Sequence, residues 1–397
     1  MAEFCTYFNQ NICRSCGQLA KPVSDQLKRK ETILREALAA VSTVPYLTLP
    51  SVSGKPQGFR NKAKMVVTGT LENPIIGLLG VDKDETGREI LDCPVHHPRL
   101  NQVLHELKKF ITLAKIEPYQ IATQKGELKG IICFHSEHSD EMYVRLVTRS
   151  KESFSRIEKH AKALLAVCPF ITSISGNVQP IPHAILEGPE EVVLAGKGSV
   201  THRLALHRDT STGSSKGMET LDLELTPKAF VQTNQEIAEQ LYQTAAAWIK
   251  EIKTENFCEL FCGQGAFSFF AKDSIKQGLG IELNPDAVVS ANSTAQRLKA
   301  NHLKFIAADA GSVEAELVAF APDAILVNPP RKGLGAARDF LKNCTAPWLI
   351  YSSCSYQSLA QDLSALPDYE IIKLQVFDMF PHTDHFETLV LLKSNRP

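Results

Sequence analysis

The pattern of apolar and polar positions changes style near residue 225. Ahead of that point, Leu27, Leu34, Leu38 and Val41 recur at helical spacing behind Ser24, so residues 24–41 are expected to form an amphipathic helix capped by Ser24. Short runs rich in β-branched residues follow: AKMVVTGTL, PIIGLLG, KGIICFH and EMYVRLVT. They interleave with helical stretches near 98–114 and 151–167, which suggests a smaller α+β domain. The polar stretch 205–220, rich in Ser, Thr and Gly, is expected to be a loop.

After Thr226 the rhythm becomes helix, strand, helix, strand. NQEIAEQLYQTAAAWIKEI, FCELF, FSFFAKDSI, LGIEL, PDAVVSANSTAQRL, LKFIAAD, AILVNPP and PWLIYSS follow in turn. Such alternation implies a mostly parallel sheet with helices on both faces. The end differs, because YEIIKLQVFDMF and FETLVLLKS are separated by a turn alone and should pair antiparallel. A doubly wound sheet with that ending is the methyltransferase variant of the Rossmann plan.

Composition narrows the setting. At 397 residues the chain has room for two or three domains. No apolar run approaches the roughly 18 residues of a membrane span, and MAEFCTYFNQ does not read as a leader, so a cytoplasmic, monomeric protein without membrane contact is expected. The net charge is −1, yet residues 1–64 carry ten Lys/Arg against four Asp/Glu. Within them GKPQGFRNKAKM places Lys55, Arg60, Lys62 and Lys64 together without an acid, a candidate phosphate-binding strand whose plain alternative is a solvated edge.

The chemistry of the second half begins at ELFCGQGAF, a strand running into Gly263 and Gly265, small residues that let a ligand approach the backbone. Glu282 ends the next strand nineteen residues after Gly263, where a carboxylate can accept from the ribose hydroxyls of a nucleoside. Asp309 closes the strand after that and could face the base. ILVNPPRKG then presents Asn328 from a rigid Asn-Pro-Pro turn followed by Arg331, where amino-directed methyltransferases carry an aromatic residue. YSSCSY puts Cys354 just beyond the fifth strand, and FPHTDHFETLVLL puts Glu387 at the opening of the last. A thiol, an Asn-Pro-Pro turn and a carboxyl therefore converge on one edge of the sheet.

With these pieces in hand, the chain resembles the RNA uracil-C5 methyltransferases that use S-adenosylmethionine. FRNKAKM, FVQTN, ELFCGQGAF, GIELNP, LVNPPRKG, YSSC, HFETLVLL and the early cysteines carry the likeness, which runs essentially end to end. The resemblance implies that Gln232, Phe261, Glu282 and Asn328 bind S-adenosylmethionine, joined by Gly263 and Asp309 from the strand ends, that Cys354 is the nucleophile and that Glu387 is the base. It is strongest toward the branch acting on uracil 747 of 23S rRNA, a loop or single-stranded uridine; another rRNA or tRNA uridine is the alternative. The residues alone also leave open an NAD-dependent oxidoreductase, a non-catalytic iron-sulfur RNA-binding protein and an exocyclic amino methyltransferase.

Cys5, Cys13 and Cys16 have seven and two residues between them, and Cys93 precedes a proline. Ten cysteines in a reducing compartment point away from disulfides, and such a cluster toward a metal. The pattern resembles the family's four-cysteine [4Fe–4S] site, with zinc as the alternative for four thiolates. The expected organisation is an iron-sulfur cysteine region over 1–95 packed on a central α+β RNA-binding domain over 54–224, then a Rossmann-like α/β methyltransferase domain over 225–397.

Overall fold

The computed structural model describes residues 4–42, 44–79, 87–181, 187–206 and 219–396. Most of the expected loop, residues 207–218, lies outside the described residues. The chain divides into two compact units, one of residues 1–20, 55–203 and 224–228, the other of 21–54, 204–223 and 229–397. No helix among the described residues is long and apolar enough to cross a membrane.

The first unit is built on a seven-stranded sheet, ordered Gly87–Glu89, Pro74–Leu79, Lys62–Gly69, Leu128–Ser136, Glu141–Thr148, Ile171–Val178, Glu190–Gly196. Residues alternate along Lys62–Gly69, so Ala63, Met65 and Val67 enter the core while Lys62 and Lys64 face away. Helices Pro98–Leu113 and Phe154–Val167 close the core with Leu100, Val103, Leu104, Leu107, Ile157 and Leu164.

The second unit contains an eight-stranded sheet in the order Leu47–Thr48, Tyr369–Phe377, Glu387–Ser394, Trp348–Ser353, Ala324–Val327, Asn256–Leu260, Gln277–Glu282, Leu303–Ala307. All its neighbours run parallel except where Glu387–Ser394 pairs antiparallel with the strands on either side. This is the α/β, Rossmann-like arrangement expected, antiparallel ending included. The central strands are mostly apolar because helices cover both faces. Gln235–Glu251 and Pro285–Arg297 contribute to one apolar cluster, and Tyr356–Ser364 to the other.

Two differences from expectation lie near the N-terminus. The helix expected over 24–41 is Val23–Leu38, preceded by Pro22 with no side-chain cap, so Ser24 sits inside its first turn. Its buried line is Gln26, Lys30, Leu34 and Leu38, a spacing of four that brings two polar residues inward. Residues 21–54 also belong to the second unit, because Leu34 and Leu38 join its core and Leu47–Thr48 adds a parallel edge strand beside Tyr369–Phe377.

Lys30 and Asp378 form an ion pair at 2.5 Å with each side chain 1 % exposed. Removing one partner strands the other as an unpaired buried charge. Lys30→Met should therefore lower stability by about 3–5 kcal/mol in urea titrations, and Lys30→Met combined with Asp378→Leu should recover most of that loss. Equal stabilities of the single and double variants would refute this.

Candidate active site

The candidate residues of the second unit gather at one edge of its sheet. The strands ending in Leu260, Glu282, Ala307, Val327 and Ser353 are parallel neighbours. Their carboxyl ends, where α/β sheets bind ligands, therefore point the same way.

Leu260 runs into a turn with three left-handed residues: Phe261 at φ 58°, Gly263 at 54° and Gly265 at 78°. The two glycines answer different needs. A Cβ on Gly265 would lie 2.4 Å from the Phe305 ring, so this glycine permits close packing. A Cβ on Gly263 would meet nothing within 4 Å, leaving that backbone open to a ligand. Phe261 carries a side chain in a conformation that suits glycine, and such strain gathers at functional turns.

Glu282 closes the turn. Its two carboxylate oxygens accept from the Gly263 and Asn284 backbone N–H groups, each at 2.9 Å. The half-buried carboxylate is thereby fixed while free lone pairs remain for hydroxyl donors. Asp309 is exposed and accepts from the Gly311 N–H at 2.8 Å, an Asx turn that shapes its own loop. Asn328 is half-buried, and its N–H donates to Leu260 O at 3.3 Å, which ties the Asn-Pro-Pro turn to the glycine-rich one.

The thiol and the second carboxyl meet through strand register. Ser353 pairs with Thr388, which places Cys354 and Glu387 one step further along the same antiparallel ladder. Cys354 lies in a tight turn, with Ser355 N–H donating to Ser353 Oγ at 3.1 Å and Ser355 Oγ capping the helix Tyr356–Ser364. That helix also secures the neighbouring loop. Ser358 Oγ donates to Arg331 O at 3.1 Å, and Asp362 accepts from Leu334 N–H at 2.8 Å and from the Tyr351 hydroxyl at 2.6 Å.

Electrostatics couples the three groups. Glu387 is 3 % exposed, and its Oε2 has no hydrogen-bond partner. Burial pushes its carboxyl up to about 8, against opposing effects of a Gln232 hydrogen bond and the Arg331 charge. Burial likewise raises the Cys354 thiol, and the neighbouring Glu387 raises it further, while Arg331 counters by charge and by a side-chain hydrogen bond. Gln232, expected at a cofactor, is thus placed on Glu387. Arg331 was visible in the sequence only as a departure from an aromatic, and its link to both reactive groups needed the fold.

The remaining candidates lie in the first unit. Cys5, Cys13, Cys16 and Cys93 are all free thiols. Cys16 is pushed up to about 12 by burial and by the charges of Cys93, Cys13 and Cys5. Tyr7 links the two cysteine segments, its hydroxyl accepting from Leu91 N–H at 3.2 Å and Asp92 N–H at 3.1 Å. Among the described residues, however, no three His, Cys, Asp or Glu side chains are grouped as a metal ion would require.

The expected basic strand is also divided. Lys55 pairs with Glu137 at 3.0 Å and Lys64 with Glu187 at 2.5 Å. Burial lowers Lys62 to about 8, and the half-buried Arg60 interacts by charge with Cys93 and Cys16.

Comparison with known proteins gives these features a frame. A profile of the tRNA (uracil-5-)-methyltransferase family matches residues 216–395. The 23S rRNA (uracil(747)-C(5))-methyltransferase RlmC of Halothiobacillus neapolitanus is 38% identical over 392 residues, 98% of this chain and 98% of that protein. The chain belongs to the RNA uracil-C5 methyltransferase family. The protein of the same name from Vibrio cholerae is also 38% identical, over 98% of this chain and 99% of its own length. Among solved structures, the tRNA (uracil-54, C5)-methyltransferase of Pyrococcus abyssi, in complex with S-adenosyl-L-homocysteine, shares the fold. Its TM-score is 0.74 at 23% identity, covering 95% of this chain and 85% of that one.

The raised Glu387 carboxyl has a thermodynamic consequence. Between the ordinary carboxylate range and about 8 the native state holds a proton that the unfolded chain has lost, so stability falls as pH rises through that window. Glu259, buried and likewise raised to about 8, adds a second share. Glu387→Gln should flatten the decline and leave the variant more stable than wild type at pH 9, by on the order of 3–5 kcal/mol. Parallel stability curves for wild type and variant in urea titrations from pH 5 to 9 would contradict this.

Proposed function

We propose that the protein transfers a methyl group from S-adenosylmethionine to C5 of a uridine in 23S rRNA, uracil 747, through a covalent Cys354 adduct. One observation carries the reading: Cys354 and the buried Glu387 stand side by side at the carboxyl edge of a methyltransferase sheet. The relatives that share this chain's full length bear the name of that activity. An rRNA substrate is in keeping with a cytoplasmic location.

Each residue has a role in the balance of bonds. Uracil C5 is a weak nucleophile, so the Cys354 thiolate adds to C6 and converts the ring into an enolate with electron density at C5. S-adenosylmethionine supplies the methyl group as an electrophile on sulfonium sulfur. Glu387 as carboxylate then takes the C5 proton, the C6–S bond breaks, and Cys354 leaves as thiolate. Arg331 stabilises the anionic forms of both groups, and Gln232 orients the carboxyl. Of the residues that would hold the cofactor, Glu282 would accept from its ribose hydroxyls, the open Gly263 backbone and Phe261 would border it, and Asn328 and Asp309 would complete the site. RNA bases must be unstacked to expose C6, so the target is a loop uridine turned out of its stack. Lys55, Arg60, Lys62 and Lys64 are proposed to hold phosphates, with Lys55 and Lys64 exchanging Glu137 and Glu187 for the RNA.

The order of the two residues in the cycle gives the test. Cys354→Ala should form no covalent RNA complex, because nothing adds to C6. Glu387→Gln should allow methyl transfer and then stall as a protein–RNA adduct that retains its C5 proton. RNA with 5-fluorouridine at position 747 should trap the wild type, since fluorine cannot leave as a cation. No S-adenosylmethionine-dependent adduct on denaturing gels from either Glu387→Gln or the fluorinated RNA would refute the mechanism.

Cys5, Cys13, Cys16 and Cys93 are proposed to hold a [4Fe–4S] cluster with a structural role. The influence of the neighbouring cysteines on Cys16 and Cys93 and the Tyr7 link between their segments support it. Anaerobically purified protein should be brown and contain iron and sulfide in equal amounts. Colourless protein with stoichiometric zinc would decide for the alternative metal.

A further inference from the structure

Glu387 is delivered to the site by residues 378–386, which connect Tyr369–Phe377 to Glu387–Ser394. Two residues of the helix Val23–Leu38 grip this connection. The Gln26 side chain accepts from His382 N–H at 2.8 Å through Oε1, and its Nε2 lies 3.3 Å from His382 Nδ1. Gln26 Nε2 also donates to Lys21 O at 2.8 Å, which fixes the amide in this orientation. Lys30 Nζ donates to Asp378 Oδ1 at 2.5 Å and to Phe380 O at 3.1 Å. Both side chains are 1 % exposed.

From the other side Asn234, two residues beyond Gln232, donates to Met379 O at 3.4 Å. The connection thus has buried anchors at 378, 379, 380 and 382, just before Glu387. His382 is held at φ 67°, a conformation a non-glycine residue keeps only where its surroundings over-determine it. An amphipathic helix made only for packing would present apolar residues at positions 26 and 30. The spacing instead aims two long polar side chains at the segment that sets Glu387.

We propose that Gln26 and Lys30 are positioning residues for Glu387: they lock residues 378–382 so that the carboxyl meets the C5 proton of the methylated adduct. The inference rests on the mechanism proposed above and assigns to the N-terminal helix a specific step within it. Displacing a base by an ångström slows proton removal without affecting the earlier addition to C6.

The test uses full-length Gln26→Met, similar in length but unable to make the two bonds to His382. Its turnover should fall about tenfold with KM for RNA unchanged. The S-adenosylmethionine-dependent adduct should accumulate on unmodified RNA, as with Glu387→Gln, while trapping by fluorinated RNA keeps the wild-type rate. Amide hydrogen exchange in residues 378–386 should quicken. Gln26→Asn, which withdraws the same amide by one methylene, should show a smaller version of this signature and carries the test if Gln26→Met does not fold. Normal turnover in a folded variant, or lower turnover with no accumulated adduct, would overturn the proposal. Failure of fluorinated RNA to trap the wild type would instead overturn the underlying mechanism, and this assignment with it.

Discussion

Burying a carboxyl with one oxygen unpaired costs a fold on the order of 1–3 kcal/mol, and the C-terminal unit bears that penalty at Glu387. The residue cannot swing into water. It opens a strand flanked on both sides, in register with Phe377 on one neighbour and beside the Ser353–Thr388 pair on the other. The next five residues, Thr388–Leu392, are all buried, and the strand feeds the apolar clusters on both faces of the sheet. Packing of that strand compensates for its first residue. The same desolvation makes Glu387 a stronger proton acceptor than an exposed glutamate, so its destabilising position and its proposed chemistry have one cause.

A raised carboxyl beside a thiol also limits which protonation states can coexist. With Glu387 ionised, the Cys354 thiolate is opposed by a second negative charge; with Glu387 protonated, Arg331 faces one anion alone. Addition to C6 and removal of the C5 proton thus favour opposite states of the same carboxyl. The neighbouring loop has to stay in place while that charge moves. Ser358 and Asp362 hold it from the helix that begins two residues after Cys354, so thiol and guanidinium are carried on one hydrogen-bonded frame.

In the first unit, backbone pairing sets Arg60 apart from the lysines around it. Arg60 N–H donates to Val95 O at 2.8 Å and Arg60 O accepts from His97 N–H at 2.8 Å, lacing it to the segment that carries Cys93. Its guanidinium is drawn inward toward the thiols, with Nε donating to Lys62 O at 3.0 Å. A string of bases in sequence is therefore not a stripe of free charge in space, because pairing partners such as Glu137 and Glu187 arrive from more than 80 residues away.

That distinction separates what the sequence discloses from what only the fold can. The strand ends bearing Gly263, Glu282, Asn328, Cys354 and Glu387 were legible because glycine, proline and apolar runs act locally, and parallel alternation dictates a common edge. The roles of Gln26 and Lys30 were not, since a Gln and a Lys on an amphipathic helix read as its wet face. Their partners lie 348 to 356 residues away, beyond the reach of any periodicity. Buried polar side chains on such a helix become tolerable only when a distant segment supplies matching donors and acceptors. Here that segment is the one leading into Glu387, so the polar residues that break the helix's apolar line are the ones that tie the N-terminal helix to the proposed base.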